Sequence, residues 1–410
     1  MDQVNAPAVA QNRINALLYT LKVKVTNRFW GYVKDYFYEQ RIYDAALVQN
    51  LNYKVASAQK KAVICYVTSS YFFDLENSSM GRTQPYEVLS IVKVLSDLGY
   101  CIDIIGCNDL KSLEHLKSKR YDLIFGFGEA FYQLTCLYPS AISILYMTEH
   151  HPDFSFREER KRLDYFKERH YKEPQSLRSG IFYKVHHLQK KYSHVITMSE
   201  VEPLQNQYKK PYTIFPSGIV NLQFDGKGKD YNITRKNFLW LGSTNAIHKG
   251  LDLLLDVFRE KDDMVLHIGG LSQKDRKLLA LPKRENLVDH GFIDIKSSAF
   301  AGLARTCSYL VLPSCAEGFA TSVTTGMLHG LIPVVMKNTG FNRIAKYAVL
   351  LDDFKLDYLR PKLIELSEKD EEWLNDMSES VTAFAQTNFS ICAFEQNFKD
   401  ILTDIVVKHD

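Results

Sequence analysis

The sequence predicts an α/β protein built as two doubly wound, parallel-sheet domains facing a cleft. Three observations carry that prediction. Short apolar runs alternate with helix-length amphipathic segments from about residue 61 to residue 351, the pattern of repeated βαβ units. Pro216-Ser217-Gly218 and a polar stretch rich in Gly and Lys, residues 225–237, together divide the alternation in two as an inter-domain linker. At 410 residues the chain is long for one core, and length alone implies roughly two or three domains.

Composition narrows the function. A hydrophobic content of 46% with 24% charged residues is that of an ordinary globular protein. The net charge of +3 is near balance, and no basic stripe with interleaved aromatics runs through the two domains, so a nucleic-acid partner is not expected. The seven cysteines are scattered and form no Cys-x-x-Cys pair. Several lie in strand-like apolar runs and read as small buried hydrophobes in a reducing compartment, which argues against a zinc site or a disulfide framework. There is no apolar run of about 18 residues for a membrane span. The opening MDQVNAPAVAQNR has no apolar signal core, so the cytosol is the expected location.

Residues 1–60 differ from the rest and are expected to form a helical extension. Leu17, Leu18, Leu21, Val25, Phe29, Val33, Phe37 and Ile42 recur at near-helical spacing, with Lys22, Lys24, Arg28, Lys34 and Arg41 between them. Such a helix lies at a membrane surface, packs as a hairpin on the first domain, or binds a partner. Asp35, Glu39 and Asp44 dilute its charge, and the three readings stay open. If the first holds, the protein is peripheral on the inner face of the membrane.

The first domain, residues 61–222, is expected to carry strands near 62–68, 102–105, 121–125, 143–147 and 195–198. A helix is expected between Gly81 and Gly99, with an apolar face that includes Val88, Leu89, Val92, Leu95 and Leu98. The charged stretch 157–169 reads as a solvated helix or as one that lines the acceptor side, and the sequence leaves both open. The second domain, residues 223–388, restarts with strands near 238–241, 264–268 and 287–292 and a helix at 251–258. After a last strand near 349–351 the chain is helical to its end.

The most informative stretch is Ser314 to Val335, SCAEGFATSVTTGMLHGLIPVV. A buried strand at 309–312 closes at Pro313. Glu317-Gly318-Phe319-Ala320 then makes a turn, a helix runs to Leu328, Gly330 ends it, and a strand follows at 332–336. Such βαβ units bind ligands outside the carboxyl ends of their strands. An acidic residue thus meets a helix amino-terminus whose free N–H groups suit an anion.

Ser314-x-x-Glu317-Gly318-Phe319, with Met327, Gly330, Pro333 and Val334 beyond it, resembles the motif of retaining GT-B glycosyltransferases of the family-four type (glycosyl transferases group 1). The resemblance covers most of residues 61–405. It implies a GT-B fold of two Rossmann-like domains, with the acceptor at the first and a nucleotide-diphosphate sugar at the second. It implies that Glu317 holds donor-sugar hydroxyls and that the amides of Gly318, Phe319, Ala320 and Thr321 face the sugar and diphosphate. The family's second glutamate, which holds the ribose, is replaced here by Thr325. Trp240-Leu241-Gly242 with His248-Lys249-Gly250 resembles the opening of the second domain, where an arginine and a lysine neutralise the diphosphate. Lys249 matches, whereas Ser243 stands at the arginine position. Gly81-Arg82 resembles the loop after the first strand, and Gly269-Gly270 and Gly291 the loops around the base. His150, with His151 beside it, matches a histidine near the leaving phosphate. Residues 389–410, with Phe389, Ser390, Phe394 and Phe398, resemble the terminal helix that crosses back to the first domain.

The activity this implies is transfer of a sugar, with retention, to a glycan or lipid-linked acceptor in cell-surface polysaccharide synthesis. Lys249, the amides after Glu317 and the helix amino-terminus would stabilise the leaving diphosphate. No Asp-x-Asp pair occurs in the chain, which points to a metal-independent site with no cofactor. Thr325 and Ser243 favour the alternative of a non-catalytic GT-B protein that binds or regulates a partner glycosyltransferase. A threonine hydroxyl cannot grip two vicinal hydroxyls as a carboxylate does.

Overall fold

The structure, a computed structural model, describes residues 47–52, 60–71, 83–174, 178, 185–200, 204, 208, 210–222, 224, 229–337 and 339–408. The expected basic helical extension up to residue 46, Gly81 and Arg82, and residues 225–228 of the expected linker lie outside the described residues.

The first sheet holds β1 (Val48–Leu51), β2 (Lys61–Tyr66), β3 (Cys101–Gly106), β4 (Leu123–Gly126), β5 (Ile142–Met147), β6 (His194–Thr197) and β7 (Tyr212–Thr213). Their order is β1-β3-β2-β4-β5-β6-β7, and all pairs but β1 with β3 are parallel. The central strands are buried on both faces, which is why they read as unbroken apolar runs. Helices α1 (Gln84–Asp97), α2 (Leu110–Leu113), α3 (Gly128–Leu137), α4 (Pro152–His170) and α5 (Val185–Gln189) connect them.

The second sheet is fully parallel: β8 (Asn237–Leu241), β9 (Val265–Gly269), β10 (Leu287–Asp289), β11 (Tyr309–Leu312), β12 (Ile332–Met336) and β13 (Val349–Leu351), in the order β10-β9-β8-β11-β12-β13. Its helices are α6 (Tyr231–Thr234), α7 (Leu251–Phe258), α8 (Gln273–Leu279), α9 (Ser298–Thr306), α10 (Thr321–Leu328), α11 (Leu356–Ser367) and α12 (Glu371–Asn388). The last helix, α13 (Ile391–Val407), is capped by Ser390, whose hydroxyl accepts from the Ala393 N–H at 3.1 Å. It packs on the first domain, where Phe398 meets the Phe125 ring, Glu395 pairs with Lys93, and Tyr212 donates to Asp404 at 2.6 Å. Among the described residues no helix is long and apolar enough to cross a membrane.

Three sequence expectations are corrected. Val48–Leu51, expected within a helical extension, is an antiparallel edge strand on β3. Asn50 and Asn52 adopt positive φ there, and the Asn50 N–H donates to Asp103 at 2.8 Å. A four-residue strand, VQNL, has no legible alternation. Of the expected linker, Pro216-Ser217-Gly218 has no regular secondary structure, but Tyr231–Thr234, within its polar part, already belongs to the second domain as α6.

The third correction matters most. The charged stretch 157–169 is not simply a solvated helix. In α4, Glu159, Arg162 and Phe166 are buried, and with Arg169 they follow the i, i+3, i+7, i+10 spacing of one helical stripe. That stripe faces the second domain. Arg162 donates to the carbonyls of Ile247 (3.4 Å) and Pro313 (2.9 Å), with its guanidinium 4.6 Å from the Phe354 ring centre. Arg169 pairs with both Asp252 and Asp256 of α7. Charge at core spacing reads as solvent-facing until the partner domain supplies acceptors.

Candidate active site between the domains

The site begins at the carboxyl end of β11. After Pro313 the chain is held by His248: the Cys315 N–H donates to the His248 carbonyl at 2.9 Å, and His248 Nε2 lies 2.7 Å from the Ala316 carbonyl. Lys249 follows, its own carbonyl fixed by the Trp240 indole N–H at 3.1 Å. These contacts aim Lys249 Nζ at Glu317, with 3.3 Å between Nζ and Oε1. Sequence neighbours of two different strands thus converge, because β8 and β11 are adjacent in the sheet.

The first domain completes the cluster. Arg178 places Nη1 3.6 Å from Glu317 Oε2 and Nη2 3.2 Å from Glu149 Oε1. Its backbone N–H donates to Glu159 at 2.8 Å. The same Glu159 oxygen lies 3.2 Å from His248 Nδ1. Burial works against the Glu317 charge, but Lys249, Arg178 and His248 outweigh it and hold the carboxyl at about 2. Burial likewise pulls the His248 imidazole down, while Cys315 and Glu159 push it up to about 9. Nδ1 faces Glu159, while Nε2 lies between the Ala316 carbonyl and, at 3.2 Å, the Arg178 Nη1.

The two domains touch at this point. A Cβ on Gly318 would collide with the Thr148 carbonyl that follows β5, so only glycine permits the approach. His150 lies two residues beyond, 3% exposed, with its ring stacked on Phe154 at 3.8 Å. Burial holds this imidazole at about 4, so it is neutral near pH 7. His151 is the N-cap of α4, its Nδ1 accepting from the Asp153 N–H.

The amino-terminal end of α10 is built differently. Phe319 turns inward, stacking on Phe341 at 4.1 Å and meeting Phe215 and Phe389. Ala320 and Thr321 begin the helix, their carbonyls accepting from Thr324. Thr325 is 3% exposed, and its hydroxyl accepts from the Ile219 N–H of the linker at 3.1 Å. One turn on, His329 Nε2 accepts from the Asn221 N–H at 3.0 Å. Gly218 admits no Cβ against Thr324, Thr325 and Leu328. The linker therefore lies directly on α10.

Gly242, Ser243 and Gly291 form a second group at the carboxyl ends of β8, β9 and β10. Gly242 donates to the Gly269 carbonyl (3.0 Å), Gly270 to that of Gly291 (2.7 Å), and Ser272 to that of Ser243 (3.4 Å). Sequence reasoning gave no role to Arg178, Glu159, His248 or Cys315. His248 had a signal, its place beside Lys249. Arg178 has none, because a loop arginine shows neither periodicity nor motif.

Residues 235–356 match the family model of glycosyl transferases group 1, a span that contains Lys249, Glu317 and Thr325. No curated protein matches the chain. Among solved structures, sucrose-phosphate synthase from Thermosynechococcus elongatus shares the fold at 13% identity, with 85% of this chain and 100% of that one covered and a TM-score of 0.58. HepE from Anabaena, in complex with UDP-glucose, is similar at 13% identity, 84% and 99% coverage and a TM-score of 0.52. WaaG, a glycosyltransferase involved in lipopolysaccharide biosynthesis, is similar at 12%, 83% and 99%, and 0.52. The fold is that of GT-B proteins, and with the match over the second domain it supports a GT-B glycosyltransferase.

Proposed function

We propose that this protein transfers a sugar from a nucleotide diphosphate to a glycan or lipid-linked acceptor, with retention and without metal, in cell-surface polysaccharide synthesis. The observation that carries the reading is the convergence of Lys249 and Glu317 beside the amino-terminal end of α10, within the matched span and opposite the β5 loop of the first domain. Lys249 and the N–H groups that open α10 are suited to a diphosphate leaving group. Glu317, ionised throughout the physiological range, is suited to orient sugar hydroxyls. His150, neutral, offers an N–H to an oxygen that gains charge. In the step itself the bond from the sugar C1 to the β-phosphate oxygen breaks and a bond from C1 to the acceptor oxygen forms on the same face. The acceptor proton leaves to the departing phosphate. UDP-glucose is the first donor to test, since a protein of this fold is seen with it.

Thr325 favours a second reading, a non-catalytic partner of an active glycosyltransferase. Its hydroxyl is engaged by the linker, and it offers one oxygen where a carboxylate would offer two. The test is a thermal-shift screen of the full chain against UDP, GDP, dTDP, CMP and ADP, followed by donor turnover. A ligand of the folded state raises its midpoint by mass action. The proposal expects a selective shift that Lys249→Ala abolishes, and Glu317→Gln should slow turnover by about 10²-fold or more. A well-folded protein that no nucleotide shifts would favour the partner reading.

A further inference from the structure

We infer that Arg178 is the second cation of the donor diphosphate's site, supplied by the first domain. This rests on the glycosyltransferase reading above. A diphosphate carries two or more negative charges, and a single lysine leaves most of that charge unpaired in a partly dry cleft. At the carboxyl end of β8, position 243 is a serine and brings no charge. The only described cations within 4.0 Å of the Glu317 carboxylate are Lys249, His248 and Arg178. His248 already faces Glu159 and the Ala316 carbonyl. Lys249 and Arg178 approach opposite oxygens of that one carboxylate, at 3.3 and 3.6 Å. They therefore flank a position that an anion of two linked phosphates can bridge. Both side chains are partly open to solvent, 15% and 22% exposed, whereas Arg162 is spent on carbonyls and Arg169 on Asp252 and Asp256.

In the absence of donor, Glu317 serves as the internal counter-ion for both cations, and Glu149 holds the remaining edge of the guanidinium. When the donor enters, its diphosphate takes over Lys249 and the Nη1 edge of Arg178, and Glu317 turns to the sugar. Guanidinium suits this exchange, because its planar fork can hold Glu149 and a phosphate oxygen together. Donor affinity would then depend on the relative placement of the two domains, since each contributes one cation.

Titration calorimetry on the full chain tests this, with UDP and uridine as probes and with Arg178→Gln, Arg178→Lys and Lys249→Gln as variants. UDP affinity should fall about tenfold in Arg178→Gln and be partly restored in Arg178→Lys, with uridine binding unchanged in all three. The inference is overturned if Arg178→Gln binds UDP within twofold of the parent while Lys249→Gln weakens it. It is also overturned if Arg178→Gln loses UDP and uridine alike, which would mark Arg178 as a support for the site's shape. If the parent binds none of UDP, GDP, dTDP, CMP and ADP, the glycosyltransferase reading fails, and this inference with it.

Discussion

The two ends of the inter-domain cleft are joined by different chemistry. Around Glu317 the contacts are charged: Lys249, Arg178, His248, Glu149 and Glu159 share partners over 2.8–3.9 Å, and several side chains keep some exposure. Around Thr325 the contacts are neutral and buried, with the linker N–H groups of Ile219 and Asn221 donating to a hydroxyl and an imidazole. A charged group can exchange one ionic partner for another when a ligand arrives. A buried N–H that loses its acceptor has nothing to replace it, at about 1–3 kcal/mol. The charged end is thus the one equipped to bind, and the neutral end the one equipped to hold.

The largest effect that would sharpen this contrast concerns the ion pairs of α4 behind the charged end. Arg169→Ala leaves Asp252, whose side chain is fully buried, without its principal cation. The expected loss is about 3–5 kcal/mol, read as a fall in the thermal midpoint. A midpoint unchanged within error would mean that the domains are not held there.

Next in size is pH. His248 is raised to about 9, so its contribution is complete below its unfolded value of about 6.5 and is lost as pH rises through 9. Glu317 is depressed to about 2, so its contribution is complete above about 4.5 and is lost as pH falls through 2. The contributions of these two groups are both complete between about pH 4.5 and 6.5, and His150, held at about 4, favours the upper end of that range. The alkaline decline in thermal midpoint should flatten in His248→Gln, and a parallel decline in parent and variant would remove His248 from the account.

The smallest expected effect tests the neutral end. Thr325→Val removes the acceptor of the Ile219 N–H and should cost about 1–3 kcal/mol of stability, with UDP affinity changed less than about twofold. A tenfold loss of UDP affinity with the midpoint intact would break the comparison and return Thr325 to the nucleotide site.

Much of the fold was legible because parallel strands buried on both faces must be apolar runs. The strands at 309–312, 332–336 and 349–351 and the helix at 251–258 coincide with their predicted ranges. β1 and β7 were not legible, since four and two residues carry no period. Of the candidate site, Lys249 and Glu317 were readable from motif spacing, and the structure brings them within 3.3 Å. Arg178, Glu159 and the stripe of α4 were not. By itself the sequence determined the alternation of strands and helices and the residues that open α10, because local periodicity and turn chemistry act over a few residues. Only the tertiary structure decided which distant charges share the Glu317 carboxylate and which hydroxyl the linker consumes. A buried ion is stable only where its partners converge, and that convergence is a property of two packed domains.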